Sequence, residues 1–173
     1  DAEEFELALA AAGRALELDE NEPNGLTVLI RILAVRARQE PAQAARRHYE
    51  DEIISRVEKL RKLRPQDWMA PKLLAEVFLH RKEWDLTVEP LTRLPALCPM
   101  APASWRGLAG VYLEKGQLDL ALPQLLELAR SEEHDADVPE QIADIYKKRG
   151  QLKETQYWLR QALWIDPFRA ATT

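Results

Sequence analysis

Residues of the same kind recur 34 positions apart in this chain. Ala109 and Ala143 are such a pair, as are Tyr112 and Tyr146, Gly116 and Gly150, Leu118 and Leu152, and Leu125 and Leu159. The same interval carried back along the chain reaches Ala75, Phe78, Trp84, Leu91 and Pro99. A period of this length holds two helical half-units, and neither half can bury its apolar face alone. Neighbouring units must therefore stack, which dictates an all-α array.

The helices follow from apolar spacing and from the breakers between them. Phe5, Ala8, Leu9, Ala12, Ala15 and Leu16 form one stripe of a helix over 2–18, and the Asp19–Gly25 cluster is a turn. A second helix is expected over 26–39, and Glu40-Pro41 breaks it. The longest helix follows over 41–63, with Ala45, Tyr49, Ile53, Val57 and Leu60 inward. Its outer face carries Arg46/Glu50, Arg47/Asp51, Glu52/Arg56 and Glu58/Lys62 at i,i+4 spacing. Beyond Pro65 the expected helices are 69–81, 85–94, 103–115, 118–130, 137–149 and 152–165. Pro71 and Pro139 sit in first turns, Pro90 and Pro123 lie a turn inside, and Pro95 is expected to end its helix and leave 95–102 irregular.

Composition narrows the function classes. The 173 residues are 46% hydrophobic and carry a net charge of −5, so a packed domain is possible and a basic nucleic-acid platform is disfavoured. Charge is uneven: residues 1–22 hold eight acids and one base, residues 23–64 ten bases and five acids. Cys98 is the sole cysteine, which excludes an internal disulfide or a thiolate zinc cage. That fits a cytosolic location and leaves an exported one open. No apolar run is long enough to span a bilayer. With no initiator Met and no signal-like start, the sequence reads as a piece cut from a longer pattern.

The residues resemble a known family. Trp105, Leu108, Ala109, Tyr112, Gly116, Leu118, Ala121, Leu125 and Leu128 follow the tetratricopeptide repeat, as do Ile142, Ala143, Tyr146, Gly150, Leu152, Leu159, Ala162 and Pro167. The small Ala109 and Ala143 let paired helices approach, and Gly116 and Gly150 supply left-handed turns. The resemblance implies a right-handed superhelical solenoid of antiparallel helix pairs. It divides the chain into a truncated second helix (1–22), a divergent lengthened pair (23–67) and repeats at 68–101, 102–135 and 136–169. The 68–101 repeat keeps Leu74, Ala75, Phe78, Leu91, Leu94 and Pro99, but has Lys82 at the turn glycine and Thr87 at a small-residue position. A repeat opening at Pro23 should be followed by one at 57, yet the next opens near 68. Eleven residues are extra, and the long second helix is expected to take most of them.

No catalytic constellation emerges. His48, His80 and His134 are scattered, and Glu76 and Glu83 beside His80 read as an ordinary charged helix face rather than a metal site. Cys98 reads as a buried small hydrophobe. The basic run Arg56, Lys59, Arg61, Lys62, Arg64 reads as a solvated face and the 131–137 turn as a polar loop. Trp84 and Trp105 occupy packing positions, while Trp158 and Trp164, with Tyr157 and Phe168, lie on a last helix whose face suits a further neighbour. No cofactor is implied.

In this family the first helix of each pair lines a concave groove that receives a peptide or partner helix. Carried over, the groove positions are Thr27 and Arg31, then Lys72, Glu76 and Leu79, then Arg106, Gly110 and Leu113, then Glu140, Asp144 and Lys147. The family's carboxylate clamp needs Lys and Asn, then Asn, then Lys and Arg; here stand Lys72 and Glu76, Gly107, and Asp137 and Gln141, of which only Lys72 fits. The groove instead grades from basic (Arg31, Lys72, Arg106) to acidic (Asp137, Glu140, Asp144), which suits a polar, mixed-charge segment. Gly107 and Gly110 within one helix point to close approach of a neighbouring helix or of a bound segment. The expected function is a non-catalytic protein-interaction scaffold with a protein or peptide partner, no nucleic acid and no membrane insertion. Alternatives are an accessory segment of a larger enzyme, or self-association through the last helix.

Overall fold

In a computed structural model, residues 2–98, 102–131 and 135–168 are described, with 2–6 as backbone only. Expectations that fall on the Phe5 side chain, Pro99 and His134 lie outside the described residues. Among those described, α-helix is the sole regular structure: α1 Ala2–Leu18, α2 Pro23–Gln39, α3 Gln43–Leu63, α4 Met69–Arg81, α5 Trp84–Leu97, α6 Pro102–Glu114, α7 Leu118–Ser131, α8 Asp137–Lys148 and α9 Leu152–Ile165. They form two compact units, residues 1–83 and 84–173.

Three helix ends repeat one cap at the 34-residue interval. Lys82, Gly116 and Gly150 stand at φ 59°, 68° and 72°, all left-handed. After each, the next amide reaches back to close the turn: Glu83 N–H to Phe78 O (2.9 Å), Gln117 N–H to Tyr112 O (2.8 Å) and Gln151 N–H to Tyr146 O (2.9 Å). The turn is thus kept at Lys82, where glycine is missing and a side chain must bear the unfavourable φ.

In the first unit, α1 packs on α2, α2 on α3, and α3 on α4. The core joins Ile30 and Leu33 of α2, Ile53, Val57 and Leu60 of α3, and Leu73, Leu74 and Val77 of α4. Helix α2 starts three residues earlier than its apolar spacing suggests. Pro23 occupies its first turn, and the Glu22 carboxylate accepts from Asn24 N–H (3.1 Å) and from Gly25 N–H. Helix α3 starts two residues later than expected, at Gln43 rather than Pro41, with Ala42 extended at its N-cap. It has 21 residues where α5, α7 and α9 have 14.

In the second unit α5 through α9 pack each on the next, around Ala109, Leu122, Leu125, Leu128, Val138, Ile142 and Ile145. Trp105, Tyr112, Tyr146 and Trp158 pack against this core. Pro95 does not end α5: the helix runs through Pro90 and Pro95 to Leu97, and Cys98 N–H still donates to Leu94 O at 2.8 Å. A proline removes one amide from the ladder, but buried Leu91 and Leu94 hold this face in place. Cys98, expected inside, is only partly buried.

Candidate functional site

The lengthened α3 borders a concavity of the first unit. Measured by the interval of the later repeats, Glu50 stands where Trp84, Leu118 and Leu152 open their helices, so residues 43–49 are added in front. The addition places Gln43, Arg46 and Arg47 beside the C-terminal end of α4. Between α2, α3 and α4 lies a cavity of about 430 Å³. Ala34 and Ala37 of α2, Ile53 of α3, and Leu73, Val77 and Leu79 of α4 give it apolar walls; Arg38, Arg46, Glu50, Glu76 and His80 supply its polar groups. Size and lining both suit a ligand pocket.

The polar groups are ordered around a buried carboxylate. Glu50, with its side chain 5% exposed, accepts from Arg81 Nε at 2.7 Å and from His80 Nδ1 at 2.8 Å. Arg81 also bonds the Asp51 carboxylate at 2.8 Å and the Arg47 carbonyl at 3.0 Å. Burial opposes the charge on Arg81, but the Glu50 and Asp51 carboxylates overcome it and push its pKa further up. On the other side of the imidazole, Arg46 Nη1 stands 3.0 Å from His80 Nε2, while Arg46 Nε donates to the Glu40 carbonyl at 2.9 Å. A chain Arg46–His80–Glu50–Arg81 thus edges the cavity. At the mouth, Arg38 holds Glu76 at 2.8 Å, and Lys72 lies 3.8 Å from the same carboxylate.

These contacts correct two expectations. Arg46/Glu50 is not an exposed i,i+4 pair: Glu50 is buried and gives its oxygens to His80 and Arg81 of α4, while part-buried Arg46 turns to the Glu40 carbonyl and to His80. His80 likewise turns to Glu50 and Arg46. Among the described residues no three His, Cys, Asp or Glu side chains gather as metal ligands, and no helix is long and apolar enough to cross a membrane.

Of the groove positions, Glu76 and Leu79 line the cavity and Lys72 reaches it through Glu76. Arg31 is exposed on α2, and the Thr27 hydroxyl donates to the Pro23 carbonyl at 2.8 Å. In the second unit, Arg106 on α6 pairs with Asp135 at 2.7 Å, Gly110 is open to solvent, and Leu113 is partly drawn into the core. On α8, Asp144 and Lys147 are exposed and Glu140 is half-buried. The two glycines of α6 separate cleanly. A Cβ at Gly107 would stand 2.7 Å from Leu91 Cδ1, so α5 explains that glycine, whereas a Cβ at Gly110 would meet nothing within 4 Å. The site residues that sequence reasoning misses are Ala34, Ala37, Arg38, Arg46, Glu50 and His80. The signal available for them is the eleven-residue slip in the period.

No protein-family model matches the sequence, and no curated protein matches it. Solved structures do. The chain is similar to the crystal structure of YrrB, described as a TPR protein with an unusual peptide-binding site, at TM-score 0.75 and 20% identity over 98% of this chain and 81% of that one. It is similar to MamA at TM-score 0.74 and 18% identity, covering 96% of this chain and 91% of that one. Identities this low establish shared architecture rather than shared activity. Helix pairs at a 34-residue interval, closed by the same left-handed cap and superposing on these structures, give this chain the tetratricopeptide-repeat fold.

Proposed function

We propose that the chain is a protein-interaction scaffold with no catalysis of its own, and that it receives a peptide segment in the α2–α3–α4 cavity. The observation that carries this reading is an apolar hollow of about 430 Å³ whose walls come from three helices and whose polar groups stand at its edge. An apolar side chain entering it would be shielded from water, while Arg38, Glu76 and Arg46 would meet the polar backbone on either side. The peptide-binding site named for YrrB supports a peptide as the ligand class. In the same reading, Arg31 and Lys72 are outlying contacts. Arg106, Gly110, Leu113, Glu140, Asp144 and Lys147 form a further first-helix surface within the second unit.

The test starts from peptides selected out of a random displayed library. Ala34→Leu puts a larger side chain into the cavity at a partly buried helical position. Selected peptides should lose at least tenfold in affinity, about 1.4 kcal/mol. Full affinity for the filled variant would overturn the reading. Arg106→Ala and Glu140→Ala ask whether the second unit's surface takes part.

A second reading, self-association, rests on α9. Leu159 is 44% exposed while its counterpart one interval earlier, Leu125, is fully buried under α8. Leu152, Tyr157, Leu163 and Trp164 are exposed with it. Sedimentation equilibrium across concentration decides this reading, since a strict monomer contradicts it.

A further inference from the structure

Beside the apolar cavity lies a smaller hollow of about 190 Å³ that shares Arg46, Glu50 and His80 with it. Its remaining lining is Gln43, Arg47, Arg81 and Lys82. Four cations and a histidine thus face one carboxylate. That carboxylate is engaged, with His80 on one oxygen and Arg81 on the other. Arg81 is spent in turn on Glu50 and Asp51. Arg46 is not: its partners are the Glu40 carbonyl and a ring nitrogen, neither of them a carboxylate. Among the described residues neither Arg47 nor Lys82 makes an ion pair, and both side chains are exposed. The hollow therefore presents guanidinium and ammonium groups without matching anions, next to an apolar pocket.

We propose that the segment taken by this site is acidic: an apolar side chain fills the larger cavity, and an aspartate or glutamate two residues along places its carboxylate in the basic hollow. This deepens the peptide-binding reading and rests on it. The charge pattern favours this ligand over its opposite. A carboxylate would give Arg46 an ion-pair partner in place of a backbone carbonyl and a ring nitrogen, and a guanidinium can meet a carboxylate with two parallel N–H donors. The carboxylates that line the two hollows and could accept from a basic side chain are Glu50 and Glu76, and these are already held by Arg81 and His80, and by Arg38 and Lys72. Because the hollows share three lining residues, residues two apart in an extended chain, on one face of it and about 7 Å from each other, can enter both.

Four decapeptides with blocked ends test the proposal against the full chain by titration calorimetry, with amide shifts of Leu73, Val77 and Leu79 reporting the location. All share a Gly/Ser frame; their cores are Leu-Glu-Glu, Leu-Gln-Gln, Leu-Lys-Lys and Ala-Glu-Glu. Leu-Glu-Glu should bind about tenfold or more tightly than Leu-Gln-Gln, and more tightly than the other two, with affinity falling as salt rises. Arg46→Gln should erase the preference for Glu over Gln. Arg47→Gln, at an exposed position, should reduce it and serves if Arg46→Gln unfolds. Equal or tighter binding of Leu-Gln-Gln or Leu-Lys-Lys, centred on those three amides, overturns the acidic ligand and leaves the cavity as the peptide site. Absence of any shift at those amides overturns both readings.

Discussion

Removing Glu50 tests whether its polar cluster is structural. The Glu50 side chain is 5% exposed and that of Arg81 10%, so neither charge has much water to fall back on. Breaking a buried pair from one side costs about 3–5 kcal/mol when the remaining charge has no other partner. Arg81 does keep two, the Asp51 carboxylate at 2.8 Å and the Arg47 carbonyl at 3.0 Å. The expected cost of Glu50→Ala is therefore nearer 2–3 kcal/mol, roughly two charge-assisted hydrogen bonds less the relief from Asp51. Asp51 supplies the control on the same guanidinium. It is 69% exposed, so Asp51→Ala should cost no more than about 1 kcal/mol. The same holds for the equivalent pairs one and two intervals on, Asp85 with Lys115 and Asp119 with Arg149, whose carboxylates are exposed. Native-state amide exchange at Val57, Leu60 and Leu74 reads the first unit by itself. A loss below about 0.5 kcal/mol for Glu50→Ala, or an Asp51→Ala loss as large as that of Glu50→Ala, would refute the reasoning.

Three further predictions concern backbone and capping. Lys82→Gly should stabilise α4 by about 1 kcal/mol by relieving its left-handed φ, and Gly116→Ala or Gly150→Ala should cost about 1–2 kcal/mol; denaturant midpoints check all three. Gly110→Ala should stabilise α6 by about 1 kcal/mol, whereas Gly107→Ala should cost about 1–3 kcal/mol because its Cβ meets buried Leu91. The Gly25 and then the Asn24 N–H bonds hold the Glu22 carboxyl below the usual carboxylate range. A depressed folded pKa stabilises fully above the unfolded value, about 4.3, and the benefit is lost as pH falls through the lower folded value. Unfolding midpoints of the parent and Glu22→Gln should therefore differ at neutral pH and converge in acid.

The repeat was legible because its chemistry is local and periodic. Apolar positions at helical spacing locate all the helices of the described residues, and Gly116 and Gly150 mark two of the three left-handed caps. Lys82 shares that conformation without the residue that announces it, since the Glu83 N–H bond to Phe78 O and the packing of α4 on α3 impose the turn. Pro95 misleads in the opposite direction. A proline weighs against a helix locally, but the burial of Leu91 and Leu94 outweighs one lost amide. The candidate site was the least legible part. Glutamate on a charged helix reads as surface, and only the docking of α4 brings Arg81 and His80 against Glu50. Ala34 and Ala37 carry no signal of their own in the sequence; they line the cavity only once α2, α3 and α4 are packed together. The slip of the period does mark the place, since Gln43, Arg46 and Arg47 all lie in the added turns of α3.

The most direct test of the central claim is a map of backbone amide shifts on adding the blocked Leu-Glu-Glu peptide to the isotopically labelled chain. The account predicts shifts centred on Ala34–Arg38 of α2, Gln43–Ile53 of α3 and Leu73–His80 of α4, the walls and rim of the two hollows. Shifts confined to Arg106–Leu113 of α6 and Glu140–Lys147 of α8 would contradict it, placing the binding surface in the second unit.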